Sequence, residues 1–342
     1  MRLGTILSTA VNAVFPIVLL IALGYWLRKI GFLTEHFVKI GNKFAFRICL
    51  FCMLFVNVYS IDGFSVIQWD LILYVLVASC VLFLLGFGTA LVTTKDLRRR
   101  GVILQCVFRS NFAIIGLPFA AALAGEDAVA VAAVISAFAL PLFNVFAVIA
   151  LTVFVKEPGT QKRSMKQLLL SIIKNPIILG AVAGLVCIAV RELQRKVFGE
   201  VVFSVRDDLN FLYTPVNNLN QIASPFALVI LGGQFSFSAV KGMFREIATG
   251  TLWRIVFAPL LGIGGAVLLS TYTPLLSCGV NEYPALIAFF GTPTAISGAI
   301  MAGEMGNDEQ LATQLVVWTS VGSILTIFLI TCVMMGMGLL PM

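Results

Sequence analysis

The sequence predicts an all-α polytopic membrane protein with ten transmembrane helices, built as two inverted five-helix repeats in which helices 4 and 9 are broken. Composition, charge placement and an internal likeness between the halves lead there. Of 342 residues, 60% are hydrophobic and 11% charged, and the mean hydropathy is +1.02. Soluble domains are nearer half apolar and a quarter charged. Too little polar surface exists here to cover a soluble core. Continuous apolar runs of about 20 residues select helices over the shorter alternating strands of a barrel.

The runs place spans near 5–27, 44–60, 70–93, 101–123, 128–154, 171–191, 211–237, 247–271, 283–303 and 309–338. The opening "MRLGTILSTAVNAVFPIVLL" reads as a retained first helix rather than a cleaved signal. With the N-terminus outside, the loops after spans 1, 3, 5 and 7 hold "RKIGFLTEHFVKIGNK", "TTKDLRRR", "KEPGTQKRSMKQ" and "KGMFRE". These carry most of the 23 lysines and arginines, as the positive-inside rule requires, and both termini then lie outside a plasma (bacterial inner) membrane. The acidic loop 304–309 is the exception. The net charge of +7 therefore reflects loop asymmetry and implies no nucleic-acid partner.

None of the 16 aspartates and glutamates sits centrally in a span, which speaks against a carboxylate relay through the membrane. Asp127 and Asp308 are placed to cap the helices that follow. The seven cysteines are scattered, and Cys49-x-x-Cys52 has no second pair and only one histidine in the chain to join it. They read as small buried hydrophobes rather than metal or redox groups. The chain lacks a zinc pair, paired central aspartates, a nucleophile with its base, and a phosphate-binding glycine loop. It is therefore read as no enzyme and no nucleotide-driven pump, with no cofactor.

"PIVLLIALG" from Pro16 matches "PIILGAVAG" from Pro176, and "GLPFAAALAGED" from Gly116 matches "GTPTAISGAIMAGE" from Gly291. Five spans is an odd number, so the second half enters the membrane from the opposite side. The repeats run over 1–155 and 171–342, with a short cytoplasmic linker at 156–170. Inverted repeats of this kind serve alternating-access transporters.

Gly116 with Pro118, and Gly291 with Pro293, invite real breaks in helices 4 and 9. Half-helices starting at the two prolines would aim free N–H groups and positive dipole ends at the midplane, a place suited to an anion. Candidate substrate contacts are Asn111, Gly116, Pro118, Gly291, Thr292, Pro293 and Thr294. Asn111, two turns before Pro118, either donates to a carboxylate or bonds the broken backbone. Arg109 either attracts an anion at the inner vestibule, or snorkels to the cytoplasmic side or pairs helices; for Arg47 and Arg254 snorkelling is the reading. Gln221 and Ser224, beside Pro225, are accessory candidates through local unwinding of span 7, as is Ser297 near the second break.

"FRSNFAIIGLPFA" resembles the fourth-helix motif of the auxin efflux carrier family, which includes plant, yeast and bacterial members. "KNPIILGAVAGL", "SPFALVILGGQFS" and "TPTAISGAIMAGEMGNDEQLATQLVVWTSVGSIL" are similar to its sixth, seventh and ninth-to-tenth helices. The resemblance implies an elevator-type secondary carrier of organic anions whose helices 4 and 9 cross at their prolines. Auxins or malate- and malonate-like dicarboxylates are the implied substrates. Asn111 matches the asparagine that meets the substrate carboxylate, and Pro118 and Pro293 match the crossover prolines. Phe51 stands where many members have a proline in helix 2. The short loop between spans 5 and 6 suits a bacterial-type member. Expected partners are the anion and the bilayer; whether the assembly is a homodimer, and whether sodium or protons drive it, stay open. The alternative is a membrane sensor that keeps the carrier fold without transport.

Overall fold

The computed structural model describes residues 3–60, 68–155 and 175–340, so the linker 156–170 and the start of the sixth span lie outside the described residues. The helices, in order, are α1 Leu3–Lys29, α2 Glu35–Tyr59, α3 Trp69–Thr93, α4 Leu97–Phe108, α5 Leu117–Val153, α6 Pro176–Phe198, α7 Asn210–Gln234, α8 Ala239–Tyr272, α9 Glu282–Gly291, α10 Ile296–Glu304 and α11 Glu309–Gly336. Wider π-turns interrupt α2 at Ala45–Cys49 and α8 at Trp253–Phe257, and another, Phe112–Gly116, leads into α5. Inside α5 the chain turns at Ala124 and Gly125, where Gly125 takes φ +74°, a value glycine adopts without penalty.

Local sequence accounts for the helix starts. Thr34 accepts from Phe37 N at 3.1 Å, Asp96 from Arg98 N at 2.8 Å, and Asp308 from Leu311 N at 2.9 Å. Each satisfies an N–H that the first turn leaves without a partner. Among the described residues, α2, α3, residues 127–153 of α5, α8 and α11 are long and apolar enough to cross a membrane. Their outward positions are apolar too, as at Leu73, Leu84, Leu260 and Val333. Such helices fit hydrocarbon on one side and a packed core on the other.

Glycines set the closest approaches. A β-carbon on Gly24 of α1 would meet Val229 O of α7, and one on Gly232 of α7 would meet Ile21 O of α1. Gly180 and Gly184 of α6 lie in the same way against Phe51 O and Val58 of α2. Phe51 thus occupies continuous helix, with its carbonyl against α6. Small residues let membrane helices gain dispersion contact where no hydrophobic effect separates them from lipid.

The connections sort to two ends. At one, Asp308 N donates to Arg98 O at 3.2 Å, Arg99 pairs with Asp308 at 2.9 Å and with Glu246 at 3.0 Å, and Gln310 Nε2 reaches Gln234 O at 2.7 Å. The acidic loop that broke the charge pattern therefore sits against the arginines of "TTKDLRRR". At the other end, Gln68 meets Glu282 at 3.0 Å, Ser277 N meets Asp70 at 2.9 Å, and Arg206 N meets the Tyr59 hydroxyl at 3.0 Å.

Four expectations need correction. α2 starts at Glu35, ahead of the expected 44, which makes "EHFVKIGNK" helical. α6 runs to Phe198, beyond the expected end at 191. α8 starts at Ala239, which makes "KGMFRE" helical. α7 stays helical through Pro215 and Pro225, so no unwinding frees Gln221 or Ser224. One proline deletes one hydrogen bond and kinks a helix; it does not by itself open the backbone.

Gly24→Leu should force α1 off α7 and destabilise the protein by about 1–3 kcal/mol. Gly264, with open space where its β-carbon would stand, should accept alanine with little change. Thermal unfolding of the purified variants in detergent checks both.

Candidate functional site

Two helical paths are interrupted, and the interruptions meet. After Phe108 the backbone turns extended, with Arg109 at φ −89°, ψ 104°. After Gly291 it does the same, with Thr292 at φ −70°, ψ 153° and Ala295 at φ −67°, ψ 131°. The two extended stretches lie antiparallel around a bridge between Ser110 and Thr294. Asn111 N donates to Pro293 O at 2.8 Å, and Ala295 N donates to Arg109 O at 3.2 Å. The Thr294 hydroxyl adds a bond to Arg109 O at 3.3 Å, and Thr294 N reaches the Thr319 hydroxyl at 3.2 Å. Backbone removed from water must find partners. Here each break supplies them to the other.

The second break contains Pro293, as the sequence predicts. The first opens at Arg109, not at Pro118, which is the second residue of α5. The π-turn Phe112–Gly116 passes into α5 with Gly116 itself at φ −66°, ψ −46°, so Pro118 lies inside a continuing helical path and does not break it. Asn111 therefore lies within the break and not two turns before it.

Arg254, at the π-turn of α8, is 0% exposed. Its Nη1 donates to Val107 O at 3.2 Å and Phe108 O at 3.3 Å, and its Nη2 donates to Phe290 O. These carbonyls close α4 and α9, the negative ends of both first half-helices. The snorkelling reading of Arg254 is overturned: one guanidinium caps two helices at once. Arg47, in contrast, is exposed.

Arg109 also stays inside, at 4% exposure, which overturns snorkelling there as well. Its Nη1 meets Met301 Sδ at 2.9 Å and its Nη2 meets Asn144 Oδ1 at 2.8 Å. Among the described residues no carboxylate pairs with it. It stands on the wall of a cavity of about 30 Å³ with Met53 and Asn57 of α2, Ser110, Asn111, Asn144 and Ser297. That volume suits a water or two, on the scale of about 10–15 Å³ for each. Ser110 Oγ and Asn111 Nδ2 are buried there without a partner. Two unsatisfied donors beside an unanswered cation favour a negatively charged guest.

Of the expected site residues, Arg109, Asn111 and Ser297 line this cavity, and Pro293 and Thr294 build the bridge beside it. Thr292 bonds back to Ala288 O at 2.9 Å. Gly116 allows close packing on Phe112 and Ala288 O, Gly291 has ordinary room, and neither lines the cavity. The side chain of Pro118 lies outside the described ones. Gln221 is exposed and away from the site, while Ser224 touches it only through Met53 Sδ at 3.8 Å. Sequence reasoning missed Asn57, Asn144 and Gln105, the last buried on α4 with Nε2 unpartnered beside Gly298. Their signal was present: amides inside apolar runs rarely occur without a task.

The sequence matches the family described as "Membrane transport protein" over residues 9–331. The chain belongs to this family. It is the auxin efflux carrier-like family that the helix motifs resemble, and membership makes the chain an integral membrane protein of the transporter class. It is also similar to an uncharacterized transporter of Methanocaldococcus jannaschii, at 24% identity over 323 residues, 93% of this chain and 96% of that one.

Arg254→Met should strand three carbonyls and destabilise the fold by about 3 kcal/mol or more, at roughly 1–3 kcal/mol for each buried group left unpaired. Arg254→Lys, which keeps the charge without the fork, should fall between. Unfolding midpoints in detergent decide it.

Proposed function

We propose that this transporter is a secondary carrier of small organic anions, with malate- or malonate-like dicarboxylates and auxin-like acids as the substrate class. The observation that carries the reading is the cationic Arg109, with no carboxylate partner among the described residues, beside the orphaned donors of Asn111 and Ser110 where the two breaks meet. The substrate carboxylate would take the Asn111 amide and the Ser110 hydroxyl, with the Arg109 charge behind them. The half-helices that begin at Phe112 and Ile296 aim their positive ends the same way. Ala295 gives α10 no side-chain cap; Gly298 N turns back to Ala295 O at 3.0 Å, and the N–H groups of Ile296 and Ser297 would be the ones offered to a guest.

The ten-span inverted arrangement belongs to this proposal, with repeats over 1–155 and 171–342 and both termini outside the plasma membrane. Three features support it. The paths 97–123 and 282–304 are interrupted at corresponding places. The pairings of α1 with α7 and of α6 with α2 exchange when the halves are exchanged. Connections after odd and even spans collect at opposite ends.

An elevator movement follows. α1, α2, α6 and α7 pack closely as one group, and the backbone bridge, Arg254 and Arg99 bind α4, α8, α9, α10 and α11 into another. The cavity has walls from both groups and too little room for a dicarboxylate. Displacement of one group along the other would enlarge it and open it to alternate sides.

Uptake of radiolabelled malate and malonate into proteoliposomes tests the reading, and binding without flux would favour a sensor. Asn111→Ala should lower flux by about tenfold or more at normal expression, a loss of about 1.4 kcal/mol. Pro293→Ala should impair flux more than stability, since it changes the bridge. Pro118→Ala should be milder on both counts. Equal effects of the two proline changes would refute the assigned position of the first break.

A further inference from the structure

A second polar cluster lies where α2 and α7 meet α10 and α11, away from the cavity. Glu304 ends α10 and Glu309 begins α11, and both are half-buried. Asn42 of α2 is 2% exposed; its Nδ2 lies 3.3 Å from Glu304 Oε1 and 3.4 Å from Ile300 O. Gln234, which ends α7, donates to Glu309 Oε1 and accepts from the Thr313 hydroxyl at 3.4 Å. Gly303 draws the pieces together. The Glu309 carboxylate occupies the place its β-carbon would need, with Asn42 Nδ2 alongside.

The cluster has more acceptors than donors. Asn42 Oδ1 and Gln310 Oε1 are buried and have no hydrogen-bond partner; the first belongs to the amide whose Nδ2 lies against Glu304, and the second to the residue that follows Glu309. A buried acceptor left empty costs about 1–3 kcal/mol, and two carboxylates at close quarters resist ionising together. The charged groups that act on Glu309 are Glu304 and, from α2, Lys39. Lys39 is already paired with Glu35 at 2.8 Å on the exposed surface. Arg28, at the end of α1, gives its guanidinium to Leu33 O at 3.0 Å. α7 presents only the neutral Gln234. Capping explains an acid in the first turn of α11, and Asp308 already does that work. It leaves the empty amide oxygens unexplained.

We infer that Glu304, Glu309 and Asn42 bind one small monovalent cation, a proton or a sodium ion, which holds α2 and α7 against α10 and α11. A proton on one carboxyl would donate to a free amide oxygen; sodium would take several of these oxygens as ligands. The cation would thereby tie the two helix groups together at one end. Its role as the coupling ion rests on the carrier reading, while the binding itself does not.

The test uses the full chain, purified in detergent, with unfolding followed by intrinsic tryptophan fluorescence. One arm compares sodium chloride with choline chloride at pH 8 and equal ionic strength. The other lowers the pH from 8 to 5.5 without sodium. The wild-type midpoint should rise by about 2 °C or more in one arm, because a ligand held only by the folded state stabilises it. A rise with sodium identifies the ion, and a rise on acidification alone identifies the proton. Glu309→Gln should abolish the rise, and Glu304→Gln carries the same expectation should the first variant fail to fold. No rise in the wild type, or a full rise in both variants, would overturn the inference. Malate flux is assayed separately, so a failed cation response leaves the carrier reading standing, and a failed flux assay leaves this test intact.

Discussion

The structure depends on how two stretches of open backbone are satisfied inside an apolar core. An extended segment within a helix bundle exposes N–H and C=O groups that neither lipid nor aliphatic side chains can meet. The Arg109–Asn111 and Pro293–Ala295 stretches solve this for each other through reciprocal bonds of 2.8 and 3.2 Å. The helix ends beside them still carry free carbonyls, and Arg254 takes those from both α4 and α9. Neither interruption would be tolerable alone. Together they form one rigid joint.

That solution has an electrostatic consequence. Arg254 gives Nη1 and Nη2 to carbonyl dipoles while its Nε has no partner, and Arg109 gives to an amide oxygen and a thioether, so neither cation is neutralised by a nearby acid among the described residues. Positive charge and positive helix ends then gather around a small cavity in which Asn111 Nδ2 and the Ser110 hydroxyl are buried without partners. As the proposed anion site, it would select by sign before it selects by shape. Burial would make that preference strong, because little solvent remains to screen it.

Glycine placement and polar placement divide the helices in the same way. Close contacts through Gly24, Gly232, Gly180 and Gly184 hold α1 with α7 and α2 with α6. Directional bonds hold the interrupted helices to α8 and α11. Between the groups, the cavity and the Glu304–Glu309 cluster are polar places of contact among the described residues, and the proposed elevator movement would have to remake them. Dispersion contact across an apolar seam changes gradually, whereas hydrogen bonds switch between discrete partners.

The sequence alone determined the all-helical class, the apolar outer surface and the fact that two helical paths are interrupted, since these follow from local composition and from glycine and proline chemistry. It also marked Asn111 and Arg109 as out of place in an apolar run. It misplaced the first break at Pro118, because a proline reads the same whether it marks a break or sits in a helical path that continues through it. Only the tertiary structure decided which. Asn111 N finds Pro293 O some 180 residues away, and that partner lets the chain open at Arg109 instead. The same long-range pairing turned Arg254 inward, where sequence suggested an excursion to the surface. Asn57 and Asn144 joined the cavity for a similar reason. Pattern shows that a polar group is buried in the wrong place, but its partner is a matter of three-dimensional proximity, which spacing along one chain does not encode.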